Sequence, residues 1–433
     1  MTTGWSGHME STVSIFDINS KYAAGALILA VVFATVLLAA PAGHAQSFQV
    51  LYNFAQNRGL PFGLAADRAG NFYGTQYYGL FGSIFKFSRA GSGWVISDLY
   101  KFQGAPDGSS PAGVTVAADG SLYGVTGTGG TGPCDRETYN GCGTVFRLQP
   151  PAVPCRATRC YWTETVLYSF QGSPDLQYPA AEVTFDQAGN LYGTSYQGGA
   201  FGFGGVFEMT RSQGGWTYKI LYSFSGPPPD GANPEGSVTI DQAGNLYGPT
   251  LAGGTGTLGG CEGHGCGTVY QLTPSGSGWN ETVLHNFGIS GGSDGEAPIA
   301  GLLLDRAGNL YGTTEGGGSN DGSTVFEFSP SNGGFAFSVL NTLPGSFSLS
   351  KLVMDQAGSL YGSTEEGGLY GYGMVFKLTP GSNGWTFTSL HDFDFDDGFG
   401  PSGDMVLDAN GNLYGTAVEG GLNNEGVIWE ITP

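Results

Sequence analysis

One phrase of eight residues recurs seven times along the chain, and no other feature limits so sharply what the chain can fold into. It reads DRAGNFYG from Asp67, AADGSLYG from Ala117 and DQAGNLYG from Asp186. It returns at Asp241, Asp305, Asp355 (DQAGSLYG) and Asp408 (DANGNLYG). Its tyrosines fall at 73, 123, 192, 247, 311, 361 and 414, so successive copies lie 50, 69, 55, 64, 50 and 53 residues apart. Self-similarity near 50 residues with strand-like content marks propeller blades.

Each unit holds four apolar segments of strand length. In the third they are Pro179–Phe185, Asn190–Ser195, Gly205–Thr210 and Trp216–Phe224, divided by Asp-Gln-Ala-Gly, a Gly-rich loop and Ser-Gln-Gly-Gly. These turns permit positive φ and antiparallel reversal, which explains why 78 of 433 residues are glycine without a collagen period. One unit is therefore a four-stranded meander. Radial packing of seven such sheets covers both faces of each. The Leu-Tyr-x-Phe motif of the fourth segment occurs first at Leu51–Phe54, before any other strand, and does not follow Thr432. The expected fold is all-β: a seven-bladed β-propeller with four antiparallel strands per blade, its N-terminal strand (Phe48–Phe54) completing the last blade.

The phrase GNLYGTT, followed by GG and GxVFxLTP, is matched at Gly308–Thr314 with Ser323–Phe328, and at Gly267–Pro274. On these residues the chain resembles the GloVer tandem repeats of exported bacterial "choice-of-anchor" proteins over about 48–433. Pro61–Thr75 also resembles an NHL-type blade. The resemblance implies a propeller and brings no reaction with it.

Ala23–Ala40 is apolar, follows Lys21 and leads into Pro41-Ala42-Gly43-His44-Ala45, whose small residues suit cleavage before Gln46. Residues 1–45 are read as a signal peptide, with an uncleaved membrane anchor as the alternative, and 46–433 as one propeller domain. The expected location is secreted, periplasmic or envelope, the only membrane contact being through the N-terminal segment, and the expected state is a monomer. The formal charge of −21 repels phosphate backbones, which removes nucleic acid as a partner and leaves glycan or protein ligands.

The aspartate opening each hairpin phrase supplies one carboxylate per turn. That suits capping of backbone N–H groups better than the six to eight oxygens of calcium. No cofactor is expected, calcium being the one ion the acidic surface admits. Candidates for a ligand-binding face lie in two other sets. Asp107, Asp175, Asp230, Asp294 and Asp397 occupy the linkers between blades. Glu315, Glu366 and Glu419 lie in the loops between second and third strands, on the same face of a propeller. Tyr77, Tyr78 and Tyr196, in those loops, offer rings for sugars to stack on.

His285 and His391 replace the tyrosine of the Leu-Tyr-x-Phe strand. His264 lies in Cys261-Glu-Gly-His-Gly-Cys266, but ligands crowded into six residues close a tetrahedron poorly, so no metal is assigned. The cysteines pair most simply within their loops as Cys134–Cys142, Cys155–Cys160 and Cys261–Cys266, which calls for an oxidising compartment. The function read from the sequence is an exported, non-catalytic binding or scaffold module. The alternative is a polysaccharide hydrolase or lyase using paired carboxylates such as Asp397 and Glu419.

Overall fold

The computed structural model describes residues 46–433 except 57–58, 78–80, 137–138, 153–161, 258–260, 262, 277, 290–292, 320–321, 346 and 348–349. The reading of 1–45 as a leader lies outside these residues, as do Tyr78 and the Cys155–Cys160 pair.

Seven antiparallel sheets follow the seven copies of the phrase, here called blades 1 to 7. Blade 1 is Pro61–Ala66, Phe72–Gln76, Ser83–Ala90 and Gly93–Lys101, paired in chain order from the axis outwards. Blade 7 takes its outermost strand from the start of the domain: Ser47–Asn53 runs antiparallel to Val427–Thr432, with Ser47 opposite Thr432 and Asn53 opposite Val427. The Ser47 and Thr432 hydroxyls lie 2.6 Å apart, and Phe54 N–H donates to the Gly426 carbonyl at 3.1 Å. The expected permutation is present. It ties Ser47–Asn53 and Val427–Thr432 into one sheet.

The repeated phrase has a job at every residue. Asp67 Oδ1 accepts from the N–H groups of Ala69 and Asn71, and its Oδ2 from the Asn71 amide and the Tyr73 hydroxyl. Burial raises the Asp67 pKa, but these donors outweigh it and hold the carboxylate below its usual range. Both oxygens are thus committed to the turn. The tyrosine ring meanwhile packs against the next blade: Trp162 lies 6.0 Å from Tyr73, Trp216 6.0 Å from Tyr123, Phe335 5.9 Å from Tyr247 and Trp385 6.2 Å from Tyr311. Trp94 of blade 1 and Tyr414 of blade 7 are 6.4 Å apart, so the same contact closes the ring.

The glycine that ends the phrase is required for space. A Cβ on Gly193 would stand 2.5 Å from the Phe207 ring of the next strand, and Gly74 and Gly312 meet Phe85 and Phe326 in the same way. The core is accordingly a series of wedges between blades. One holds Tyr73 and Ile84 of blade 1 with Val114, Leu122, Phe146 and Leu148 of blade 2. The closing wedge holds Phe54, Leu64, Phe72 and Phe85 with Tyr414 and Ile428.

The innermost strands are shorter than their apolar runs suggest. In blades 3 to 6 only two residues pair, for example Thr184–Phe185, although the run begins at Pro179. The reason is competition from the neighbouring blade. The Thr184 hydroxyl donates to Val238 O at 2.6 Å, Thr194 to Gly236 O at 3.0 Å, and Leu64 N–H to Asp404 O at 2.8 Å.

Candidate functional site

The linkers between blades and the loops between second and third strands share one face. Short ladders tie them together, with Leu176–Gln177 on Gln197–Gly198 and Gly231–Ala232 on Ala252–Gly253. The carboxylates on this face divide into two populations.

The linker aspartates are latches. Asp175 accepts from the Tyr168 hydroxyl (2.8 Å), Gln171 N–H (2.9 Å), Leu176 N–H (2.8 Å) and the Tyr218 hydroxyl of the next blade (2.7 Å). Asp107 is held by Tyr100, Gln103 and Gly108, and Asp230 by Tyr222, Ser225 and Gly231. Where the strand carries histidine, the ring takes over the tyrosine's role: His285 Nε2 lies 3.1 Å from Asp294 and His391 Nε2 2.7 Å from Asp397. Burial drives the His285 pKa down against the pull of Asp294. Burial raises the pKa of Asp397, but the His391 ring and the Asp394 N–H outweigh it and keep the carboxyl ionised. Glu419 pairs through its backbone with Phe399 in blade 7.

A second group surrounds the mouth of the axial channel. Glu315 and Glu366 are here, with Glu235, Glu296 and Glu365, which the sequence reading did not single out. Burial and the Glu315 charge push the Glu235 pKa up to about 7. Burial does the same for Glu365, to about 7, with Glu366 and Glu315 adding to it and the Ser402 hydroxyl opposing. Burial and then Glu296 raise Glu315. Carboxyls that influence one another in this chain of pairs form one acidic arc across blades 4, 5 and 6.

Beside Glu235 the mouth is aromatic. A cavity of about 520 Å³ is walled by Tyr77, Tyr178 and Tyr196, with Pro179, Ala180 and the Glu235 side chain. Tyr77 is 41% exposed. Tyr178 has a positive φ of 58° and sits where the linker meets the loop of Tyr196, its carbonyl accepting from Tyr196 N–H at 3.0 Å.

Deeper in the channel stand Glu182, Lys351 and Asp404, from blades 3, 6 and 7. Each is four residues before its hairpin aspartate, a position filled by Gly63, Gly113, Ser237 and Gly301 in the other blades. Glu182 and Asp404 line the same cavity on the axis. Burial, then the Glu182 charge, drive Asp404 far above the usual carboxylate range, with the Lys351 charge and backbone N–H opposing.

The two long loops are stapled by Cys134–Cys142 and Cys261–Cys266, as the sequence suggested. The Cys261 and Cys266 sulfurs and a Glu296 oxygen lie within 4.8 Å of one another. They are the closest metal-ligating group among the described residues. A cavity of about 500 Å³ beside them is lined by Leu251, His264, Glu315 and Phe347.

Among solved structures, the fold is similar to virginiamycin B lyase from Staphylococcus aureus. A catalytically inactive variant with quinupristin superposes with a TM-score of 0.57 at 15% identity, covering 90% of this chain and 99% of that one. The selenomethionine form gives 0.53 at 14%, with the same coverage. At such identities the likeness is one of fold. No curated protein matches the sequence. The pattern of the Gloeobacter/Verrucomicrobia repeat matches residues 35–260 and 260–433, and with seven blades built on that repeat the chain belongs to this family.

Proposed function

We propose that the protein is a non-catalytic binding module of the envelope or extracellular space, and that it takes a neutral, hydroxyl-rich glycan at the mouth of its axial channel. The observation that carries this reading is the single cavity in which Tyr77, Tyr178 and Tyr196 stand with Glu235. Tyrosine rings offer apolar faces to the C–H side of a sugar. A carboxyl with a pKa near 7 both donates and accepts, which suits hydroxyl groups. The formal charge of −21 disfavours polyanionic glycans. The two disulfides fit an oxidising compartment.

The enzymatic alternative finds less support. The lyase that shares the fold is an enzyme, but Asp397, one half of the carboxylate pair that alternative needs, is committed to the His391 ring and the Asp394 N–H.

The test is a glycan array on the 46–433 protein, with and without calcium, followed by calorimetry. Tyr196→Ala and Glu235→Gln should each weaken the best neutral glycan by about tenfold, the loss of one stacked ring or one good hydrogen bond. Loss of binding on chelation would add calcium to the mouth. A blank array would overturn the glycan reading in favour of a protein ligand.

A further inference from the structure

The objection to metal at Cys261–Cys266 was that its ligands crowd into six residues. The fold removes that objection, because Glu296 arrives from the following interblade linker. Its Oε2 lies 3.6 Å from Cys261 Sγ. A sulfur in a disulfide has no hydrogen to give a carboxylate, so the contact gains nothing from hydrogen bonding while the bridge is closed. Reduction changes that. With metal–sulfur bonds of about 2.3 Å and metal–oxygen bonds of about 2.1 Å, neighbouring ligand atoms on a tetrahedron stand about 3.5 to 3.8 Å apart. The sulfur–oxygen spacing already has this value, and only the two sulfurs must separate, from Cα atoms 5.1 Å apart.

Blade 2 supplies the internal comparison. Its bridge, Cys134–Cys142, has Cα atoms 5.0 Å apart, and Gln177 Oε1 sits 3.3 Å from Cys134 Sγ. Gln177 and Glu296 are equivalent, each preceding a residue of positive φ, Tyr178 (58°) and Ala297 (53°). The geometry is the same and the charge is not: blade 2 presents an amide and blade 4 a carboxylate. Two thiolates and a carboxylate suit a borderline-soft divalent ion, and an amide in the third place suits it poorly.

We infer that reduction of the Cys261–Cys266 bridge turns this loop into a thiophilic divalent-metal site, with Cys261, Cys266 and Glu296 as ligands and the fourth position open to the cavity lined by His264 and Phe347. Disulfide and metal are mutually exclusive. A phosphine reductant attacks one sulfur, and water then converts it to the phosphine oxide, leaving two thiols. The divalent ion displaces their two protons as it binds.

The experiment titrates cadmium into the whole phosphine-reduced chain and follows the ultraviolet thiolate-to-cadmium charge-transfer band. One tightly bound cadmium is expected, retained in the C134S/C142S and C155S/C160S variants and lost in C261S/C266S. Glu296→Gln should weaken it at least about tenfold. Should C261S/C266S fail to fold, reoxidation of the wild-type chain is decisive, since closing the bridge must expel the metal. An undiminished band in C261S/C266S or in E296Q, or cadmium retained after reoxidation, overturns the inference.

Discussion

Asp175 provides the sharpest separation between a latch and a ligand site. Its carboxylate accepts four hydrogen bonds, two from tyrosine hydroxyls on successive blades whose rings stack at 3.8 Å. A hydrogen bond to a charged group contributes about 1.5 to 3 kcal/mol, and water at this half-buried position replaces part of it. Asp175→Ala should therefore cost about 4 kcal/mol. For roughly 390 residues at about 2.1 cal/mol/K each, the unfolding entropy is about 0.8 kcal/mol/K, so Tm falls by about 5 °C. Tyr218→Phe, which removes one bond to the same carboxylate, should cost about 2 kcal/mol, or 2 to 3 °C. Because Tyr218 loses its partner in either variant, the double variant should resemble Asp175→Ala alone, with a coupling of about 2 kcal/mol. Differential scanning calorimetry of the four proteins completes the cycle. Losses that add to within about 0.5 kcal/mol would refute the latch, and so would lost ligand binding at an unchanged Tm.

Two further predictions test the packing and the channel. Gly193→Ala should cost about 1 to 3 kcal/mol by forcing a methyl against Phe207, whereas Gly214→Ala, in an exposed turn, should stay within about 0.5 kcal/mol; equal effects in urea unfolding would contradict the space argument. The folded-state pKa of Asp404 lies above its unfolded value of about 3.9, so folding takes up a proton between the two, and stability falls as pH rises from about 4 towards 7. Asp404→Asn should flatten that part of the pH profile of thermal stability, and an unchanged slope would show that Asp404 is not the group that takes up the proton.

The repeat was legible because every residue of its phrase acts locally: the aspartate caps, the glycine admits a neighbouring ring, and the tyrosine reaches one blade on. Counting the fourth-segment motif then located the closing strand. The latches were harder to recognise, since an Asp-Gly linker looks the same whether its carboxylate faces solvent or a tyrosine. The signal available was the tyrosine or histidine six to nine residues upstream, as in Tyr168 and Asp175 or His391 and Asp397. Glu182, Lys351 and Asp404 were missed because they belong to different repeats, and only their shared register, four residues before the hairpin aspartate, announces a common depth. Glu296 was missed because its meeting with Cys261 is made by a linker from the following blade, a contact repeated in blade 2 with a glutamine, Gln177, in its place.

The toroid closed by the first strand is tested most directly by a cross-link between its ends. Ser47 and Thr432 are separated by 385 residues and face each other with hydroxyls 2.6 Å apart. The S47C/T432C variant of the folded protein should form an intramolecular disulfide, seen as a single linked peptide by mass spectrometry, and should unfold at a higher temperature than its reduced form. Free thiols in the native protein, or linkage only between chains, would contradict the ring.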